Sequence, residues 1–190
     1  MKTILRLVIH KIIVFISSIV LGYGYLSNAA YAESAHFCGD ALPMQSQRLE
    51  SIIPALYGVV SGAAGDTKDW QLMADLFAPT SQIIPVFHDE GGLPQIQTLT
   101  VAQFTALNKQ IFKDINFYET EVSSQIFQAG HMATILSHYE SRDAIDAPPY
   151  SEGINTFQLL NDGRRWCVIS VTWDSDKGGH AISPLSEHWH

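Results

Sequence analysis

Three adjacent residues in the second half of the chain, His138, Tyr139 and Glu140, could do acid–base work. An imidazole beside a carboxylate can move protons near neutral pH. In an extended segment successive side chains point to opposite faces. His138 and Glu140 therefore share one face, and Tyr139 takes the other. The competing reading of the pair is a solvated strand face. Asn155 and Gln158 are amides in a later extended segment, again on opposite faces. Either could orient a ligand carbonyl or hydroxyl, or simply bond across strands. Trp70, Tyr118, Tyr139, Phe157 and Trp173 could form the apolar walls of such a pocket, or plain core.

Other chemistries find little support. His88-Asp89-Glu90 precedes Gly91-Gly92, a turn tip where charge is simply solvated. His180, His188 and His190 lie in a polar tail and match no closed zinc spacing. No metal and no cofactor is expected. The chain has no Gly-x-Ser-x-Gly elbow, no His-Glu-x-x-His and no phosphate-binding Gly-rich loop.

Composition narrows the partners. The chain has 190 residues and a formal net charge of −8, from 11 Lys+Arg and 19 Asp+Glu. That acidic balance leaves no basic surplus for phosphates, so a nucleic-acid partner is excluded. At 46% apolar and 11% aromatic the chain can bury a core and is not a disordered coil.

The apolar content is not all core. Lys2, Arg6 and Lys11 precede an apolar run from Ile12 to Leu21, and Ala30-Tyr31-Ala32 follows. A charged start, a short apolar run and an A-x-A box read as a bacterial signal peptide over 1–32, cut between Ala32 and Glu33. The run is short for a membrane span. The expected product is periplasmic or extracellular, with no stable membrane anchor. Removing three positive charges and no acids from a chain at −8 leaves −11. In an oxidising compartment Cys38 and Cys167 can form one disulfide; two free thiols are the alternative.

The elements that must position these groups follow from periodicity. Residues 33–43 read as an extended lead-in. Leu49, Ile52, Ile53, Leu56, Val59 and Val60 have helical spacing, with Pro54 expected to restart or kink the helix. Asp66 could cap a second helix carrying Trp70, Met73, Leu76 and Phe77, with Pro79 as its stop. Residues 82–87 and 95–99 read as a short hairpin, Pro85 suggesting an edge. Thr100-Val-Ala-Gln103 is a capping box opening a third helix. Four strands follow, at 117–127, 131–142, 153–160 and 165–174, with Asn161-Asp162-Gly163 as a hairpin turn. Helices gathered on an antiparallel meander make an α+β domain over 44–176, with a polar tail over 177–190.

Two stretches carry a resemblance to a known superfamily. One is Asp69-Trp70 leading to Leu76-Phe77-Ala78-Pro79. The other is Gly153, then Phe157-Gln158-Leu159, then Asp162-Gly163-Arg164-Arg165-Trp166, then a strand ending in Trp173. Together they resemble the NTF2-like superfamily, and within it SnoaL-like domain proteins, across about residues 44–176. The resemblance implies a cone of three N-terminal helices packed on a curved antiparallel sheet, with a pocket between them. It also implies frequent homodimers through the outer sheet face. Enzymatic members of this fold place an acid or a His in the pocket. Some carry a His on the last strand; Ser170-Val171-Thr172-Trp173 has none.

Three functions remain open at this point. The first is an exported domain binding a small, largely apolar molecule. The second is a cofactor-free isomerase, dehydratase or cyclase with a pocket acid–base residue, for which His138 and Glu140 are the candidates. The third is a dimeric assembly or accessory domain. The enzyme needs a desolvated titratable group inside the cavity. The assembly domain needs a filled pocket and a large exposed apolar patch.

Overall fold

A computed structural model describes residues 36–179 and 181–182. The signal segment, its Ala32/Glu33 junction and the tail histidines His180, His188 and His190 lie outside the described residues. The described chain from Cys38 onward is one compact unit. No helix among the described residues is long and apolar enough to cross a membrane.

Helix α1 spans Leu49–Val60 and buries Leu49, Ile52, Ile53, Leu56, Tyr57, Val59 and Val60. Pro54 sits inside this helix without ending it. Its missing N–H costs only the bond to the Glu50 carbonyl in the early turns. Helix α2 spans Trp70–Leu76, and its cap is Asp69, which accepts from Leu72 N at 2.8 Å. Asp66 is not that cap; it accepts from Ala63 N at 2.7 Å in the preceding loop. Pro79 does not stop the helix, because strand β1 has already begun and runs Phe77–His88. After the short β2, Pro94–Ile96, helix α3 covers Val101–Ile111. Both halves of its capping box are formed, Gln103 N to Thr100 Oγ1 at 3.2 Å and Thr100 N to Gln103 Oε1 at 2.9 Å.

The remaining strands are β3 (Tyr118–Ala129), β4 (Met132–Arg142), β5 (Ser151–Asn161) and β6 (Trp166–Ser175). They form one six-stranded sheet in the order β2-β1-β6-β5-β4-β3. The expected meander β3 to β6 is present, and the class is α+β. The sheet is mostly rather than wholly antiparallel, because β1 runs parallel to β6. That pairing joins the start of the domain to its last strand, a long-range crossover that local patterning does not signal. It also places β1 inside the sheet. Pro85 pairs with Trp173 of β6, and β2 takes the other side of β1 only at Val86–His88.

Alternation then decides which side chains face the helices. On β5 the odd positions Ser151, Gly153, Asn155, Phe157 and Leu159 are buried and the even ones are half-buried. On β4 Ala133, Ile135, Ser137, Tyr139 and Ser141 take the inner face. Ile135, Leu159 and Val168 pack with Ile52 and Leu76 in the main core, each almost wholly removed from water. Burial of one such side chain is worth about 1.5–3 kcal/mol.

The lead-in is anchored rather than simply extended. It turns at 36–38. Cys38 and Cys167 are bonded, with Cα atoms 5.6 Å apart. Arg165, 1% exposed, donates to the Cys38 carbonyl, and Arg164 Nη2 donates to the Gly39 carbonyl at 2.8 Å.

Candidate functional site

Between the inner sheet face and the helices lies an open cavity of about 370 Å³. Helix α1 lines it with Leu56, Tyr57 and Val60, and α3 with Phe104, Asn108 and Ile111. The sheet supplies Glu119, Tyr139, Asn155, Phe157, Val171 and Trp173. Tyr150, Ser151 and Lys177 line it beside the short 3-10 turn Asp176–Gly178. The wall is therefore largely aromatic and aliphatic, with a few polar groups fixed on the strands, the general form of a small-molecule site.

Glu119 is the titratable group at the centre of the arrangement. It pairs with Ser141 across β3 and β4, on the inner face. Its backbone is fixed from α1: Glu119 N donates to Ser61 Oγ at 2.9 Å, and Ser61 Oγ donates to Glu119 O at 3.2 Å. As a lining residue it keeps some accessible surface, but its carboxyl is cut off from bulk water. Burial pushes the pKa up from 4.5 to about 8, against the opposing effect of a hydrogen bond with Asn155. Glu119 is thus mainly a neutral acid at pH 7. Burial, and then the nearby Glu119 carboxyl, raise the Tyr57 and Tyr139 phenols as well, so both stay protonated.

A directed hydrogen-bond chain surrounds it. Ser137 Oγ donates to Glu121 Oε1 at 2.8 Å. A hydroxyl has one proton, so the 2.6 Å contact between Tyr57 and Ser137 is donated by Tyr57. The Tyr57 oxygen accepts from Asn155 Nδ2 at 3.0 Å. The second amide hydrogen of Asn155 is the one available to Glu119. The chain of donors runs from Asn155 through Tyr57 and Ser137 to Glu121, and it fixes the orientation of each group.

The structure brings four of the expected pocket residues together: Tyr139, Asn155, Phe157 and Trp173 all line the cavity. Three do not. Tyr118 pairs with Arg142 on the outward parity of β3. Gln158 is also on the outer face and accepts from Thr134 Oγ1 at 3.0 Å. Trp70 stacks on Phe112 at 6.1 Å, one layer behind the cavity wall. The acid–base candidates are corrected in the same way. Strand parity turns Tyr139 inward and His138 and Glu140 outward. His138 Nε2 lies 3.2 Å from Glu152 Oε2, and Glu140 pairs with Arg142.

Glu119, Tyr57 and Ser137 were not among the expected residues. Tyr118-Glu119-Thr120-Glu121 reads as a solvated edge strand. Its one usable signal is that Glu119 and Glu121 share parity with Phe117. A register shift between Glu121 and Ser123 then blurs the alternation that follows. His88-Asp89-Glu90 stays at the hairpin tip, where Asp89 accepts from Gly91 N and Leu93 N at 2.9 Å each. Among the described residues no group of three or more His, Cys, Asp or Glu is placed to hold a metal.

No known protein family and no curated protein matches the chain in sequence. Solved structures do match in fold. A cystatin-like-fold protein of unknown function from Nostoc punctiforme superposes with a TM-score of 0.53 at 10% identity, covering 67% of this chain and 88% of its own. An NTF2-like protein of unknown function from Pseudomonas putida gives 0.51 at 13% identity, over 66% and 82%. A cystatin-like-fold protein from Caulobacter vibrioides gives 0.50 at 12% identity, over 67% and 86%. The chain has the NTF2-like, cystatin-like fold. That likeness carries no activity with it.

Proposed function

We propose that the domain binds a small, largely apolar molecule in the cavity, as an exported protein of the SnoaL-like type. The observation that carries this reading is a 370 Å³ aromatic cavity that contains one desolvated carboxyl, Glu119. A neutral apolar dye tests it. Nile red fluorescence should rise saturably at one dye per chain and fall when 1-adamantanol competes. A rise without saturation or competition contradicts it.

The same carboxyl favours a second reading, acid–base catalysis without a cofactor. An enzyme needs a desolvated titratable group within reach of a ligand, and Glu119 is such a group. Glu119-dependent exchange of the α-hydrogens of 2-decalone in D2O tests it.

Export belongs to the first reading and is supported by the charged start, short apolar run and A-x-A box of residues 1–32. Mass spectrometry of the secreted protein should find Glu33 at the N-terminus; an intact Met1 in the membrane fraction contradicts cleavage. Pairing of two copies through the outer sheet face is supported by half-buried Leu136, Ile154 and Leu160 on that parity. Analytical ultracentrifugation tests it.

A further inference from the structure

We propose that the cavity is built for an apolar primary amine, held as its ammonium ion between Glu119, Asn155 and Tyr57. This rests on the binding reading above and names its ligand class.

The argument is a count of donors and acceptors. At the polar end of the cavity the donors of the Asn155–Tyr57–Ser137 chain are already in use. Asn155 gives its amide hydrogens to Tyr57 and to Glu119. Tyr57 gives its proton to Ser137, and Ser137 gives its own to Glu121. What this chain leaves over is acceptors, Asn155 Oδ1 and one lone pair on the Tyr57 oxygen, and Glu119 adds two carboxyl oxygens that both accept once its proton is lost. Three acceptor groups meet at one end of an apolar chamber. A primary ammonium has three N–H donors. A carboxylate or phosphate ligand would meet one basic side chain in the lining among the described residues, Lys177, which is already engaged.

Charge points the same way. Glu119 supplies the negative partner inside the cavity, and Glu121 stands behind Ser137. The only basic side chain lining the cavity among the described residues is Lys177. Its Nζ is engaged with the Tyr150 carbonyl at 2.6 Å and lies 5.3 Å from that ring's centroid. Aromatic faces such as Tyr139 and Trp173 also favour a cation over a neutral head group. The titratable groups around Glu119 are Tyr57 from α1, Tyr139 from β4, Tyr150 from the loop before β5 and Lys177 from the 3-10 turn, with the carboxylates of Glu121, Asp143, Asp174 and Asp176 facing those tyrosines. At pH 7 Glu119 changes charge on binding. It does so by losing its carboxylic proton to the buffer as the cation arrives.

Three probes with one cage and different head groups test this by calorimetry on the purified protein. These are 1-adamantylamine, 1-adamantanol and 1-adamantanecarboxylate. The amine should bind at least about tenfold tighter than the alcohol, and the carboxylate weakest. Amine binding at pH 7 should release roughly 0.9 proton, read from its enthalpy in buffers of different ionisation heat. In Glu119→Gln both the proton release and the preference for the amine should vanish. The wild-type release needs no variant, so a misfolded Glu119→Gln does not weaken the test. Alcohol or carboxylate binding as tightly as the amine, or amine binding without proton release, overturns the inference and leaves the binding reading standing. Failure of all three probes to bind overturns both.

Discussion

The side-chain amide of Asn155 donates to the hydroxyl of Tyr57 at 3.0 Å, tying β5 to helix α1 across 98 positions of sequence. The same amide bonds Glu119. One residue therefore holds both walls of the cavity and moderates its acid. Asn155→Leu keeps the branched heavy-atom skeleton and removes the donor, leaving two buried oxygens with one partner fewer. The expected loss is about 2 kcal/mol of stability, measured by urea unfolding. The Glu119 pKa should rise further, since the Asn155 bond lowers it.

Glu119 makes stability depend on pH in a stated direction. Its folded pKa, about 8, lies above the ordinary 4.5 expected in the unfolded chain. Below about pH 4.5 both states hold the proton and its contribution is fully present. Between 4.5 and 8 the unfolded chain releases the proton first, so stability falls as pH rises. The slope is at most about 1.4 kcal/mol per pH unit. Urea unfolding of wild type from pH 5 to 8 should show this decline relative to Glu119→Gln. Parallel curves for the two proteins would contradict it.

The Cys38–Cys167 bond closes a loop of 129 positions. A loop of that length is worth up to about 5 kcal/mol in the chain-entropy account. It sits against Ala78 and Ile169, away from the cavity lining. Reduction should therefore lower the urea midpoint while the residual folded protein still binds Nile red. Alkylation of both thiols without reductant would show that the bond is not there.

The helices and the four-strand meander were legible because they are local. The spacing of Leu49 to Val60, the Thr100–Gln103 box and the Asn161-Asp162-Gly163 turn each act within a few residues. The parallel pairing of β1 with β6 was not, since its partners are some ninety positions apart. The site was half legible for the same reason. Alternation separated Tyr139 from His138 and Glu140, and Asn155 from Gln158, without saying which set faces inward. The helices make that choice by covering one face. Asn155, Phe157 and Trp173 look like pocket residues by type. Glu119 does not, because an acid on an edge strand is normally solvated. Only the helix packing over it makes it a cavity group.

The central claim is that the Glu119 carboxyl is a neutral acid inside the cavity at pH 7. Carbon-13 NMR of side-chain-labelled Glu, with Glu119→Gln to assign the signal, reads it directly. The account predicts a midpoint near 8. A midpoint at the ordinary 4.5 would place the carboxyl in water and contradict both the cavity acid and the amine site built on it.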